Sequence, residues 1–148
     1  MTEGTLVYLF RDDEILLAMK KRGFGEGKWN GVGGKLHPGE SVVDAAIRET
    51  QEEIMVDVEL GDPHGKIHFH DGDSEWMVHV FRSSEFSGEP AETEEMRPKW
   101  FSVEAIPYGE CWEDDEYWLP LLIEGKKFTA EVWLDSNNHV TKTEVNEV

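Results

Sequence analysis

The chain runs to 148 residues, of which 39% are apolar and six are tryptophan; that content excludes a disordered chain and, at this length, points to one domain over residues 1–148 with a sizeable core. Its 32 acidic residues against 14 basic ones leave a formal net charge of −18, which excludes a DNA or RNA duplex as partner, because phosphate contacts supply most of that affinity. A lone cysteine, Cys111, excludes an intrachain disulfide and fits a reducing, cytoplasmic compartment, and the lack of any apolar run near about 18 residues excludes a membrane-spanning helix.

Taken in order, Thr5–Phe10 reads as a first strand with no signal peptide before it. Ile15–Met19 is a second short apolar segment, and Arg11-Asp12-Asp13-Glu14 between the two makes a hairpin. Residues 22–35, RGFGEGKWNGVGGK, hold six glycines and form a long approach to a helix. Pro38-Gly39 is a turn, and Ser41 with Asp44 three residues on is a variant capping box that starts that helix. Val56–Leu60 reads as a strand, as do Ile67–His70 and Trp76–Phe81 on either side of the polar turn 71–74. Residues 84–98 are polar and turn-rich, a surface loop, with Lys99–Ser102 a strand and 103–106 a short turn. A second helix spans 114–124 with Asp114 or Asp115 at its start, and Pro120 is tolerable only near that start. Phe128–Leu134 and His139–Val145 close the chain as a hairpin across Asp135–Asn138. The pattern is α/β, a mixed sheet between helices.

The chain is organised around Gly34–Val56, GKLHPGESVVDAAIRETQEEIMV. At about 100° per residue, Glu49, Glu52 and Glu53 fall within about 100° of arc on one helical face. Val43, Ile47, Thr50 and Ile54 share another face, which gives the helix a side to bury. Carboxylates so close repel one another unless something neutralises them. A solvated acidic face is the plain account of such a helix, but the flanking order points elsewhere. Gly34, five residues, Glu40, seven residues, then Arg48-Glu49-Thr50-Gln51-Glu52-Glu53 resembles the signature of the Nudix hydrolases. Two positions depart from it. Thr50 stands where an aliphatic is usual, and Met55 stands where a glycine is usual; a left-handed Met55 costs roughly 1–2 kcal/mol. The resemblance continues through Met19–Gly25, Lys28–Gly31, Glu95–Pro98, Trp112–Asp115 and Tyr117–Leu122, and there it is similar to the MutT-homologue branch, the oxidised purine nucleoside triphosphatases. It covers residues 5–148 and is weakest over 56–85. Glu113 replaces a proline common in that branch.

This resemblance implies the Nudix α/β/α sandwich and a divalent cofactor, Mg²⁺ with Mn²⁺ able to substitute. Glu49, Glu52 and Glu53 supply hard oxygen ligands, and by the resemblance the Gly33 carbonyl and Glu95 complete the metal set. Arg48 orients a glutamate through a bidentate pair, and Glu40 braces the loop. Glu52, and after it Glu95, are the candidates to take the proton from water. For the base, Trp112 offers a flat apolar face worth roughly 1–3 kcal/mol in stacking. Asp114 and Asp115 accept from a purine edge, and Asn30 offers both a donor and an acceptor. The resemblance also places Thr5, Lys20, Phe24, Phe69 and Trp76 around the substrate. Lys20, Lys21, Arg22, Lys28 and Lys35 make a basic approach that accepts a polyanion within an otherwise acidic surface; a salt-adapted host is the alternative account of that acidity. His68, His70 and His79 alternate along strands without a fourth close ligand and read as packed or solvated, and Cys111 reads as a bystander.

The activity implied is a Mg²⁺-dependent pyrophosphohydrolase that converts oxidised purine (deoxy)nucleoside triphosphates, of the 8-oxo-dGTP and 2-oxo-dATP type, to the monophosphate and diphosphate. Its partner is a small-molecule nucleotide and its state a monomer. Two alternatives stand beside it: a Nudix hydrolase of another substrate class, such as an ADP-sugar, a dinucleoside polyphosphate or a capped RNA end, and a non-catalytic nucleotide-binding module on the same scaffold.

Overall fold

A computed structural model describes residues 1–148. Ten strands and two helices are arranged in the order β1 (Thr2–Arg11), β2 (Glu14–Lys20), β3 (Trp29–Asn30), α1 (Val42–Ile54), β4 (Asp57–Val58), β5 (Gly65–Asp71), β6 (Ser74–Ser83), β7 (Phe86–Ser87), β8 (Met96–Ser102), α2 (Asp115–Ile123), β9 (Phe128–Leu134) and β10 (Val140–Glu147). The main sheet runs β10-β9-β5-β6-β1-β2-β3, with β8 also on β2. It is mixed, since β1 lies parallel to β6 and β5 parallel to β9 while the other pairs are antiparallel.

Alternation along the strands divides the core in two. Tyr8, Phe10, Ile15 and Leu17 pack with Trp118, Leu119 and Leu122 of α2. Val7, Leu9, Leu16 and Ala18 pack with Ala46 and Ile54 of α1. The result is the α/β/α sandwich. β1 and β2 pair only at Phe10↔Ile15 and Arg11↔Glu14, and then part. Because β8 covers one edge of β2 along its length, β3 takes the other edge where β1 leaves it, and residues 31–35 run down the gap, bridging Val7↔Val32 and Gly4↔Lys35. The gap is the foundation of the site.

Four expectations need correction. Residues 84–98 are not one loop: β7 pairs with β4, which is itself only two residues of the expected 56–60 strand, and β8 begins at Met96 rather than Lys99. Pro98 disguised that strand, yet β8 pairs with β2 alone and has a free edge for a residue without an N–H. Pro120 sits six residues into α2, not near its start. The carbonyl it leaves unbonded belongs to Glu116, which is exposed and can be solvated.

Candidate active site

α1 is fixed at both ends. The Ser41 side chain accepts from the Asp44 N–H at 3.1 Å, worth about 1 kcal/mol to the helix. Met55 closes it with φ 61° in the left-handed region, so the strained ending expected of a non-glycine residue is what forms. Thr50 is fully buried, and its hydroxyl donates to the Ala46 carbonyl at 2.8 Å, which is how a polar residue fills an aliphatic position.

Arg48 is the hub of this face. Its guanidinium grips Glu40 through two bonds, Nε at 2.8 Å and Nη2 at 2.9 Å, while Nη1 reaches Glu49 at 2.7 Å and Glu52 at 3.1 Å. Glu40 also accepts the His37 N–H at 3.0 Å, tying the turn to the helix. The Arg48 bonds, then that N–H, pull the Glu40 carboxyl down to about 2. Glu53 is the opposite case. Burial, and after it the charge of Glu49, raises its carboxyl to about 8, although the Gly33 N–H donates to it at 3.1 Å. Two glycines make this approach possible. A Cβ on Gly34 would meet the Glu49 carboxylate at 2.7 Å, and one on Gly33 would meet the Thr5 carbonyl oxygen at 1.7 Å.

Beside Gly33 lies a cleft lined by Lys20, Phe24, Gly25, Lys28, Asn30, Gly31 and Trp112, floored by Ala18 and Met96. The Trp112 ring packs against Phe24, centroids 5.2 Å apart, with Lys28 Nζ 5.6 Å from its centre. Asn30 Oδ1 accepts from both Tyr8 Oη at 3.1 Å and the Gly31 N–H at 2.9 Å. Its acceptor is therefore spent, and its amide NH₂ is the group left to offer. Tyr8, missed in the sequence because it sits in an apolar strand, is thus the residue that orients Asn30.

The remaining expected residues fall elsewhere. Asp114 and Asp115 are buried, 3% and 2% exposed, next to Tyr8 and Cys111 but not among the residues lining the cleft. Asp114 accepts from Trp118 Nε1 at 2.7 Å. Burial raises the carboxyls of both, that of Asp115 furthest, with the Asp114 charge adding to it. Thr5 packs on the α1 side, where its buried hydroxyl has no hydrogen-bond partner. Phe69 and Trp76 face each other across β5 and β6, with Lys35 Nζ 5.1 Å from the Trp76 ring centre. Glu95 is turned to Arg22, whose guanidinium holds its carboxyl below the usual range. Arg22 and Lys21, paired with Glu95 and Glu92, leave Lys20, Lys28 and Lys35 as the cations toward the site. The structure does not draw Glu49, Glu52, Glu53 and Glu95 to one point; the three side chains with donor atoms all within 4.8 Å of one another are His68, His70 and Glu131, on another part of the sheet. Cys111 is buried, and burial pushes its thiol up to about 12, so it is no nucleophile.

A glutamate-bearing helix entered through a glycine loop, wedged where two strands of a mixed sheet part, defines a class of phosphoanhydride hydrolases. The NUDIX domain matches residues 2–122, and the chain belongs to the Nudix hydrolase family. It is similar to the oxidized purine nucleoside triphosphate hydrolases of Danio rerio and Mus musculus, each 42% identical over 146 residues, 97% of this chain and 94% of the relative. In fold it is similar to the crystal structure of a mutator MutT protein from Bacillus halodurans, with a TM-score of 0.89 over 99% of this chain and 98% of that one at 21% identity. Nudix hydrolases generally need a divalent cation. No helix here is long and apolar enough to cross a membrane.

Proposed function

We propose that this chain hydrolyses oxidised purine (deoxy)nucleoside triphosphates to the monophosphate and diphosphate, using Mg²⁺. One observation carries the reading: the aromatic and amide-lined cleft and the glutamate face meet at Gly33, which lines the first and donates its N–H to the second. A base held against Trp112 and Asn30 thereby directs its polyphosphate toward α1. The relatives of similar length in Danio rerio and Mus musculus, named for this substrate class, support the same reading.

The residues fit Mg²⁺, because every donor on this face is a carboxylate or carbonyl oxygen, and the Gly33 carbonyl accepts no hydrogen bond. Glu49, Glu52, Glu53 and the Gly33 carbonyl would hold the ion, and Glu95 would join once released from Arg22. When bound, Mg²⁺ offsets phosphate charge and lowers the pKa of a coordinated water. Arg48 keeps Glu49 and Glu52 in place. Glu52, 58% exposed at its side chain, takes the proton as water adds across the α–β phosphoanhydride, with Glu95 the second candidate. Lys20 and Lys28 meet the phosphates, and Asp114 and Asp115 tune recognition of the base from behind Tyr8.

Rates with 8-oxo-dGTP, 2-oxo-dATP, dGTP and ADP-ribose test this. The expected order puts both oxidised nucleotides well above dGTP and ADP-ribose. ADP-ribose in first place would overturn the substrate class, and no turnover at all would leave a binding module.

A further inference from the structure

The sheet carries a second convergence of metal-ligating side chains, two strands away from β1 and outside the site described above. On β5, Ile67 and Phe69 point toward α2, so His68 and His70 point to the opposite face. There β9 brings Glu131 opposite His68 and Trp133 opposite His70, while β6 brings Glu75 opposite His70. His68 Nδ1 lies 3.3 Å from Glu131 Oε1, and His70 Nε2 lies 3.1 Å from the same oxygen. Donors at the corners of a tetrahedron around Zn²⁺, with bonds of about 2.0–2.1 Å, stand roughly 3.3 Å apart.

The outer contacts also have the required form. His68 Nε2 is 2.8 Å from Glu75 Oε1. A proton on that nitrogen leaves Nδ1 with its lone pair facing Glu131, which is how a carboxylate fixes the tautomer of a metal-bound imidazole. His70 is held flat on Trp133, ring centroids 4.8 Å apart and 8° from parallel, so its orientation is set before any ion arrives. The fourth position opens onto a groove bounded by Lys66, Met77, Glu144 and Asn146. His79, grouped with these histidines by sequence alternation, is buried against Glu3 and takes no part.

We propose that His68, His70 and Glu131 form a binding site for a borderline transition-metal ion of the Zn²⁺ class, with Glu75 as outer partner and water in the fourth position. Two imidazoles suit Zn²⁺, Ni²⁺ or Cu²⁺ and reject the hard Mg²⁺ of the glutamate face, so one chain holds two ions of different chemistry. The ion clasps β5 to β9, whose pairing is parallel and joins distant parts of the chain.

Calorimetric titration of the full chain with Zn²⁺ in a saturating excess of Mg²⁺ tests the site, together with the imidazole ¹⁵N resonances of His68 and His70. One equivalent should bind and shift both sets of resonances. Glu75→Gln should weaken binding by about 10–100-fold, and His70→Gln or His68→Asn by at least that much. Glu52→Gln should leave the affinity unchanged. Because His70 also packs on Trp133, the resonance shifts in the parent protein decide the matter if His70→Gln does not fold. Zn²⁺ uptake that Glu52→Gln abolishes, histidine resonances that stay in place, or the lack of a saturable site would each overturn the proposal.

Discussion

The two helices carry their acids in opposite ways. α1 has an amphipathic pattern, a side-chain cap and a closing residue; its Glu49 and Glu52 are tied together by Arg48, while Glu53 is buried. α2 begins with two aspartates that look like the start of a solvated helix, yet Asp114 caps nothing and turns inward to the Trp118 indole. Asp115 beside it is buried without any hydrogen bond to lower its carboxyl. One helix pairs two of its glutamates with an arginine, and the other buries its aspartates where burial favours the neutral acid. Catalysis of phosphoanhydride cleavage needs the first arrangement. The second lies beside Tyr8 and outside the cleft, so any effect on a bound base would pass through Tyr8 and Asn30.

The sharpest break in this contrast is Glu52→Gln. If Glu52 takes the proton from water, kcat should fall by about 10²–10⁴-fold, while the melting temperature holds, because Glu52 is more than half exposed. Steady-state rates with 8-oxo-dGTP give the answer, and near-parental turnover would move the proton acceptor elsewhere on α1.

Next come the α2 aspartates. Asp114→Asn and Asp115→Asn should change the ratio of kcat/KM for 8-oxo-dGTP over 2-oxo-dATP, since each alters a carboxyl packed beside Tyr8, which orients Asn30. Asp114 is already committed to Trp118, so the larger change, about 10-fold or on the order of 1.4 kcal/mol, belongs to Asp115. An unchanged ratio in both variants would remove these residues from base recognition.

How much of this contrast was legible differs between the helices for a physical reason. α1 announces itself, since cap, period and motif all lie within one local stretch. The bidentate pairing of Arg48 with a glutamate was expected from the resemblance of that motif. Around α2, identity was readable but placement was not. Two adjacent aspartates ahead of an apolar run look the same whether they face water or the core, and Pro120 was expected only near the helix start. Tyr8 was hidden for a similar reason, because a tyrosine within Thr5–Phe10 reads as packing. Glu131 stands far from His68 in sequence, so only the parallel β5–β9 pairing brings them together.

A smaller effect sharpens the electrostatic side. In the folded chain Glu53 titrates near 8 instead of about 4.5, through burial first and Glu49 second. A carboxyl raised in this way contributes its full stability below about pH 4.5, and loses it as pH rises to about 8, because the unfolded chain gives up the proton first. In a chelator, the melting temperature of the parent should therefore fall more steeply between those limits than that of Glu53→Gln. The gap should widen toward the upper end. Parallel curves would mean that Glu53 ionises normally when no metal is present.

The mildest test lies between the two helices, at Tyr8. Its hydroxyl donates to Asn30 Oδ1, which also takes the Gly31 N–H, so Asn30 presents only its amide NH₂ to the cleft. Tyr8→Phe keeps the ring, which packs edge-on against Trp118 at 5.9 Å and fills the space under Gly31. The loss is one hydrogen bond, worth about 0.5–1.5 kcal/mol, and with it the restraint on the amide. Asn30 can then present either end, so discrimination between a base that offers an acceptor and one that offers a donor should relax by less than about 10-fold, with kcat nearly constant if the reacting phosphorus is served from α1. A Tyr8→Phe enzyme that lost kcat instead would place Tyr8 in contact with the α1 chemistry and dissolve the division of labour between the two helices.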